Sequence, residues 1–198
     1  MKYVNQKEYP HIPYITGLLL EGEAKEKGRT TTVSTSGCGL CTAVMIADRL
    51  LPNCAFGLED ALELSYACGA NGYKGTTYTV FAPVFAEKLG LRLEMTCNPQ
   101  RLRYCLETGG AAALHTKGNQ EGHIGVFSTV GHWVTAIGVE PDGRIAVLDP
   151  AYKEGRYDRE GRKGLVEVKH GVIALCALDT IVEDTKAADP CFYLFWRT

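Results

Sequence analysis

The stretch Ser34-Thr-Ser-Gly-Cys-Gly-Leu-Cys-Thr-Ala-Val-Met-Ile-Ala-Asp-Arg-Leu-Leu51 carries three small hydroxyl residues and a Gly-Cys-Gly straight into an amphipathic apolar pattern. Leu40, Ala43, Val44, Ala47, Leu50 and Leu51 recur at helical spacing, which predicts a helix from about Gly39. Thr35 or Ser36 is expected to cap it, and Pro52 falls just past its end. Cys38 then lies at the helix N-terminus, where unpaired N–H groups and the macrodipole favour negative charge and raise the thiolate fraction. Gly37 and Gly39 keep bulk away from the sulfur and tolerate unusual dihedrals. A nucleophilic cysteine is built this way. An inert buried cysteine fits the same residues, so the stretch needs a partner elsewhere in the chain.

The partner is offered by Val130-Gly-His-Trp-Val-Thr-Ala-Ile-Gly-Val-Glu-Pro-Asp-Gly-Arg-Ile-Ala-Val-Leu-Asp-Pro150. Pro141-Asp-Gly143 is a turn between two apolar runs, so the segment reads as an antiparallel hairpin. His132 opens the first strand and Asp149 closes the second, so the two are expected near one another across the hairpin. A carboxylate there fixes the tautomer and orientation of an imidazole. With Cys38 the set comprises a nucleophile, a base and an orienting acid. An unrelated strand-end histidine and turn aspartate remain the plainer alternative.

Between these signals the chain first reads as helices. Leu58–Cys68 is periodic and stops at Gly69, and Thr76–Leu89 becomes helical from about Ala82, with Pro83 in the first turn. Leu91–Thr96 alternates as a strand, and Asn98-Pro99 caps a helix running to about Glu107. From Ala111 onward strands dominate, at about 111–115, 132–139, 144–148, 165–168, 172–178 and 191–196. Glu21–Arg29 mixes both charges and reads as a solvated loop or short helix. Helices followed by mostly antiparallel strands predict an α+β fold. We expect one domain over residues 1–198, with a helical half at about 38–108 and a sheet half at about 111–198.

Composition narrows the function classes. The chain is 45% hydrophobic and 22% charged with a net charge of -2, which gives no basis for a nucleic-acid or anionic-membrane partner. No apolar run approaches the ~20 residues of a membrane span, and the N-terminus is too polar for a signal peptide. Eight cysteines without such a peptide read as reduced thiols of a cytoplasmic protein, the alternative being a secreted protein whose signal peptide has been removed, with Cys105 and Cys176 as small core residues. Cys38-Gly-Leu-Cys41 lacks the second ligand pair that structural zinc needs. His11, His115, His123 and His170 have no metal-site partners, so no metal or cofactor is expected. His123, in a glycine-rich loop, reads as solvated, with a cleft position as the alternative. Trp133 reads as core or as a lid over His132.

Gln6, Thr31–Gly39 with the following Ala43-Val-Met45, Gly131-His-Trp-Val134, Asp142-Gly143 and Asp149-Pro150 together resemble cysteine peptidase family thirty-nine. That is the family of double-glycine leader (bacteriocin-processing) peptidases, and the likeness is to its papain-like, peptidase-like branch. The resemblance covers nearly the whole chain in order. It implies Cys38 as nucleophile, His132 as general base and acid, Asp149 as histidine orienter, and Gln6 as the side-chain donor to the oxyanion. The implied substrate is a peptide or amide, cleaved through an acyl-enzyme. Two departures stand out: Leu40-Cys41 replaces the family's Pro-Thr, and a long stretch separates Gln6 from Cys38. Other readings stay open: Cys41 as nucleophile, a Cys-x-x-Cys redox pair, acyl transfer or transpeptidation, and a non-catalytic binding module.

Overall fold

The computed structural model describes residues 1–17 and 31–198, so the charged stretch read as a loop or short helix at 21–29 lies outside the described residues. A 3-10 turn at Gln6–Glu8 precedes α1 (Val33–Ser36) and α2 (Cys38–Leu50). Helix α3 (Leu58–Ala67) leads to a small hairpin, β1 (Asn71–Gly72) and β2 (Gly75–Thr76), and then to α4 (Tyr78–Leu89). There follow β3 (Leu91–Thr96), α5 (Pro99–Glu107), β4 (Ala111–Thr116), β5 (His132–Val139) and β6 (Ile145–Leu148). The chain closes with β7 (Val166–Lys169), β8 (Ile173–Cys176), α6 (Leu178–Thr185) and β9 (Phe192–Arg197).

Seven strands form one sheet in the order β3-β9-β4-β5-β6-β8-β7, with every neighbouring pair antiparallel. The architecture is α+β. Side chains alternate along each strand, so both faces of the sheet can be buried by different partners. On β5, Trp133 and Ile137 join the core shared with Leu40, Met45 and Phe81 of the α2–α4 layer. Val134 and Ala136 face the other way, into a second core with Leu102 and Leu106 of α5 and Ile181 of α6. Helix α2 is buried at ten of its thirteen positions, consistent with a central helix that is apolar nearly all round. No described helix is long and apolar enough to cross a membrane.

Three local expectations need correction. Helix α2 is capped by Gly37 without a side-chain hydrogen bond. The Thr35 hydroxyl is instead engaged in the preceding turn, where it accepts from the Thr32 N–H at 2.9 Å. Helix α4 begins at Tyr78 and carries Pro83 inside it. The missing N–H is tolerated because Tyr78, Phe81 and Phe85 all bury on the same side, and packing outweighs one absent backbone bond. The last correction concerns 172–178, where the strand stops at Cys176 and helix α6 follows.

Phe85 ties the helical layer to the sheet. Its ring centroid lies 5.3 Å from Phe56, 5.7 Å from Phe81 and 5.4 Å from Phe195, and the side chain is fully buried. Phe85→Ala is expected to cost about 3–5 kcal/mol. Urea unfolding checks this through a lower midpoint at unchanged slope.

Candidate active site

A cleft of about 740 Å³ opens between the N-terminal end of α2 and the sheet. Thr35, Ser36 and Cys38 line one side, and Gly131, His132 and Trp133 line the other. Cys38 is the first residue of α2, is half-buried and lines the cleft. The flanking glycines are required by close packing. A Cβ on Gly37 would sit 2.6 Å from the Val33 carbonyl oxygen, and one on Gly39 would sit 2.7 Å from Thr76 Cβ. Gly37 has φ -90, so the expected unusual dihedral is not needed there. The Tyr78 hydroxyl donates to the Gly39 carbonyl at 2.7 Å and pins this first turn.

His132 opens β5 on the other side. The β5–β6 register pairs Thr135 with Leu148 and is shifted by a bulge between Ala136 and Gly138. Continued by one residue, that register sets Asp149 opposite Val134, so His132 is its diagonal neighbour. The side chains still meet: His132 Nε2 lies 2.7 Å from Asp149 Oδ1. With Nε2 so engaged, Nδ1 is the ring nitrogen left to act on Cys38, which lines the same cleft. Burial works against ionising either partner. For Cys38 the opposing influences win: the His132 hydrogen bond and charge, with the Trp133 and Gly39 N–H groups, hold the thiol below its ordinary pKa. For His132, burial is likewise outweighed by the Asp149 carboxylate and by Cys38, and the pKa is raised to about 9.

Asp149 is fully buried. Burial alone would raise its pKa, but His132, Arg156 and the Ala151 N–H lower it, so the carboxylate is held ionised. Ala151 N–H donates to Oδ1 at 2.8 Å, and the Tyr157 hydroxyl donates to Oδ2 at 2.8 Å. Arg156 Nε lies 2.8 Å from the same Oδ2. The guanidinium is itself oriented by donating to the carbonyls of Phe127 and Ala151. The N-terminal segment buttresses this turn, because the Tyr3 hydroxyl donates to the Asp149 carbonyl at 2.7 Å and Gln6 N–H donates to the Pro150 carbonyl at 2.7 Å.

Gln6 is placed differently from the other three expected residues. It is buried on the 3-10 turn, does not line the cleft, and its Nε2 donates to the Ser34 carbonyl at 2.9 Å. Its Oε1 has no hydrogen-bond partner among the described residues. Cys41 is fully buried one turn into α2, and burial together with Cys38 pushes its pKa far above the ordinary thiol range. It is therefore a neutral core thiol. All eight cysteines are free.

The remaining aromatic and histidine side chains sort themselves by contact. Trp133 is core, stacked between Tyr78 and His115 with centroid separations of 4.1 Å on each side. His115 lines the cleft, but burial, with Lys117 nearby, lowers its pKa to about 4, so it is a neutral ring at working pH. His123 fits neither expectation: its Nε2 pairs with the buried carboxylate of Asp184 at 2.8 Å, away from the cleft. Asp184 also accepts the Val126 and Phe127 N–H groups. Among the described residues no cluster of three His, Cys, Asp or Glu side chains is arranged to hold a metal ion.

Arg156 and Tyr157 escaped the reading of the sequence. Their signal is slight: an arginine and an aromatic within eight residues of a buried aspartate, in a loop of mixed charge that pattern alone cannot fold.

No protein-family model matches this chain, and no curated protein does either. Among solved structures it is similar to one from Bacillus anthracis provisionally named a C39-like peptidase. The TM-score is 0.53 at 9% identity, covering 82% of this chain and 89% of that one. At that identity the likeness speaks for the fold alone.

Tyr157→Phe removes one donor from a buried carboxylate while keeping the ring. It is expected to destabilise the protein by about 1–3 kcal/mol. Denaturant unfolding measures this, and an unchanged midpoint would show that the hydroxyl does not support Asp149.

Proposed function

We propose that this chain is a cysteine hydrolase of peptide or amide bonds, of the double-glycine leader peptidase-like branch that its ordered motifs resemble. Cys38 is the nucleophile, His132 the general base and acid, and Asp149 the residue that orients His132. The observation that carries this reading is the His132–Asp149 pair, bonded at 2.7 Å, on the same cleft that Cys38 lines from the start of α2.

In this reading His132 holds the thiol proton, leaving a thiolate beside an imidazolium. The sulfur attacks the substrate carbonyl carbon, and the carbonyl π electrons move onto oxygen. The Cys38 backbone N–H, which has no intrahelical acceptor at this position, donates to that oxyanion. Collapse of the intermediate breaks the C–N bond as His132 protonates the leaving amine. Water, deprotonated by the now neutral His132, attacks the thioester, and release of the acid restores the thiolate.

The ionisation directions give a pH window. Activity falls on the acid side as Cys38 is protonated below its depressed pKa, and on the alkaline side as His132 loses its proton near the value of about 9. A kcat/KM profile with its alkaline limb well below that point would contradict the pairing.

Variant chemistry tests the assignment of roles. At about pH 5–6, where ordinary thiols are protonated, iodoacetamide should alkylate Cys38 selectively. Cys38→Ala should abolish that labelling and all turnover of a peptide substrate, while Cys41→Ala should leave both largely intact. His132→Ala should remove the acid-pH labelling and lower turnover by at least ~100-fold. Loss of turnover in Cys41→Ala, with Cys38→Ala active, would make Cys41 the nucleophile.

A further inference from the structure

Two thiols far apart in sequence meet at the end of the β3–β9 ladder. The last paired residues are Thr96 and Phe192, and the next step places Cys97 across from Cys191. Cys191 N–H donates to Cys97 Sγ at 3.0 Å. Both thiols turn to the same acceptor, the Ala188 carbonyl, at 3.6 Å for Cys97 and 3.1 Å for Cys191. Cys97 is exposed and Cys191 is buried. Facing residues of an antiparallel pair have Cα atoms about 4.5–5.5 Å apart, inside the span of about 4.4–6.8 Å that a disulfide bridges.

We propose that Cys97 and Cys191 are a redox-modifiable dithiol that closes to an intramolecular disulfide by exchange with a low-molecular-weight disulfide such as oxidised glutathione. The exposed Cys97 thiolate attacks one sulfur of the incoming disulfide and expels the first thiolate. Cys191 then loses its proton to solvent and attacks Cys97 Sγ, expelling the second. Each departing thiolate takes up a proton. The protein dithiol is oxidised by two electrons and the small disulfide is reduced to two thiols. In the dithiol, burial and the hydrogen bond with Cys97 push the Cys191 pKa up to about 12. Capping Cys97 removes that second influence and eases the second step.

The location gives the modification a target. Asp189 and Tyr193, two residues to either side of Cys191, both line the cleft. The Cys191 carbonyl accepts the N–H of His115, which lines it too, at 3.0 Å. Cys97 immediately precedes Asn98, the N-cap of α5. A bond between these sulfurs braces one wall of the cleft against the β3–α5 junction. The chemistry does not depend on what the cleft does.

The test uses the full chain carrying Cys38→Ala, so that the cleft thiol stays out of the balance. The folded protein is equilibrated in glutathione buffers of increasing oxidised fraction, its free thiols are alkylated after denaturation, and its peptides are mapped by mass. Cys97 and Cys191 should lose their alkylation sites together and appear as one linked peptide pair. With Cys191→Ala added, Cys97 should arrest as a mixed disulfide with glutathione. With Cys97→Ala added, Cys191 should remain a free thiol. The proposal is overturned if Cys97 accumulates as the mixed disulfide while Cys191 stays alkylatable. It is equally overturned if both remain reduced when the exposed Cys54 of the same chain has been captured.

Discussion

A carboxylate sealed from water is the constraint around which this protein is arranged. Burying an isolated charge costs several kcal/mol, so Asp149 can stay ionised only if its surroundings replace the lost hydration. They do so from several directions at once: His132 and Ala151 N–H on one oxygen, Tyr157 and Arg156 on the other. These groups come from a strand end and from the loop after β6, and the N-terminal segment closes over the same turn. Removing any one of them leaves a buried charge partly unsatisfied. That is why a surface-looking loop and the first few residues of the chain are integral to the fold.

The second half of the arrangement is the seat of Cys38. A helix start supplies free N–H groups, and the two glycines let the Val33 carbonyl and Thr76 approach without collision. Burial opposes ionisation of the sulfur and of the imidazole alike, yet each is displaced toward its charged form, because the two face each other. Cys41, on the same helix, shows what the position adds. Sealed in the core one turn further on, it is driven the opposite way.

Much of this was legible in the sequence because it was written in periodicity and turn chemistry. The helix at Cys38, the hairpin around Pro141-Asp-Gly143 and the Asn98-Pro99 start all followed from local rules and fall within a residue or so of the observed ends. The His132–Asp149 contact was expected from hairpin geometry as a facing pair; the register makes it diagonal, and the bulge brings the two side chains onto one face of the sheet. What local rules cannot carry is tertiary. Pro83 suggested a later start for α4, and only the shared burial of Tyr78, Phe81 and Phe85 explains the earlier one. Helix α1 has four residues, too few to show a period, and α6 follows its strand with no breaker between them. Gln6 was expected to face an oxyanion, but its amide is bonded to Ser34 through contacts that no motif encodes.

The account rests on His132 being an imidazolium held between a carboxylate and a thiolate. A proton NMR titration of the His132 ring, assigned by its loss in His132→Ala, measures this directly in the wild type and in Cys38→Ala. The wild-type ring should stay protonated to about pH 9 and the Cys38→Ala ring should titrate at a lower pH, because the thiolate no longer supports its charge. Titration of both proteins together near the ordinary histidine value of about 6.5 would contradict the account.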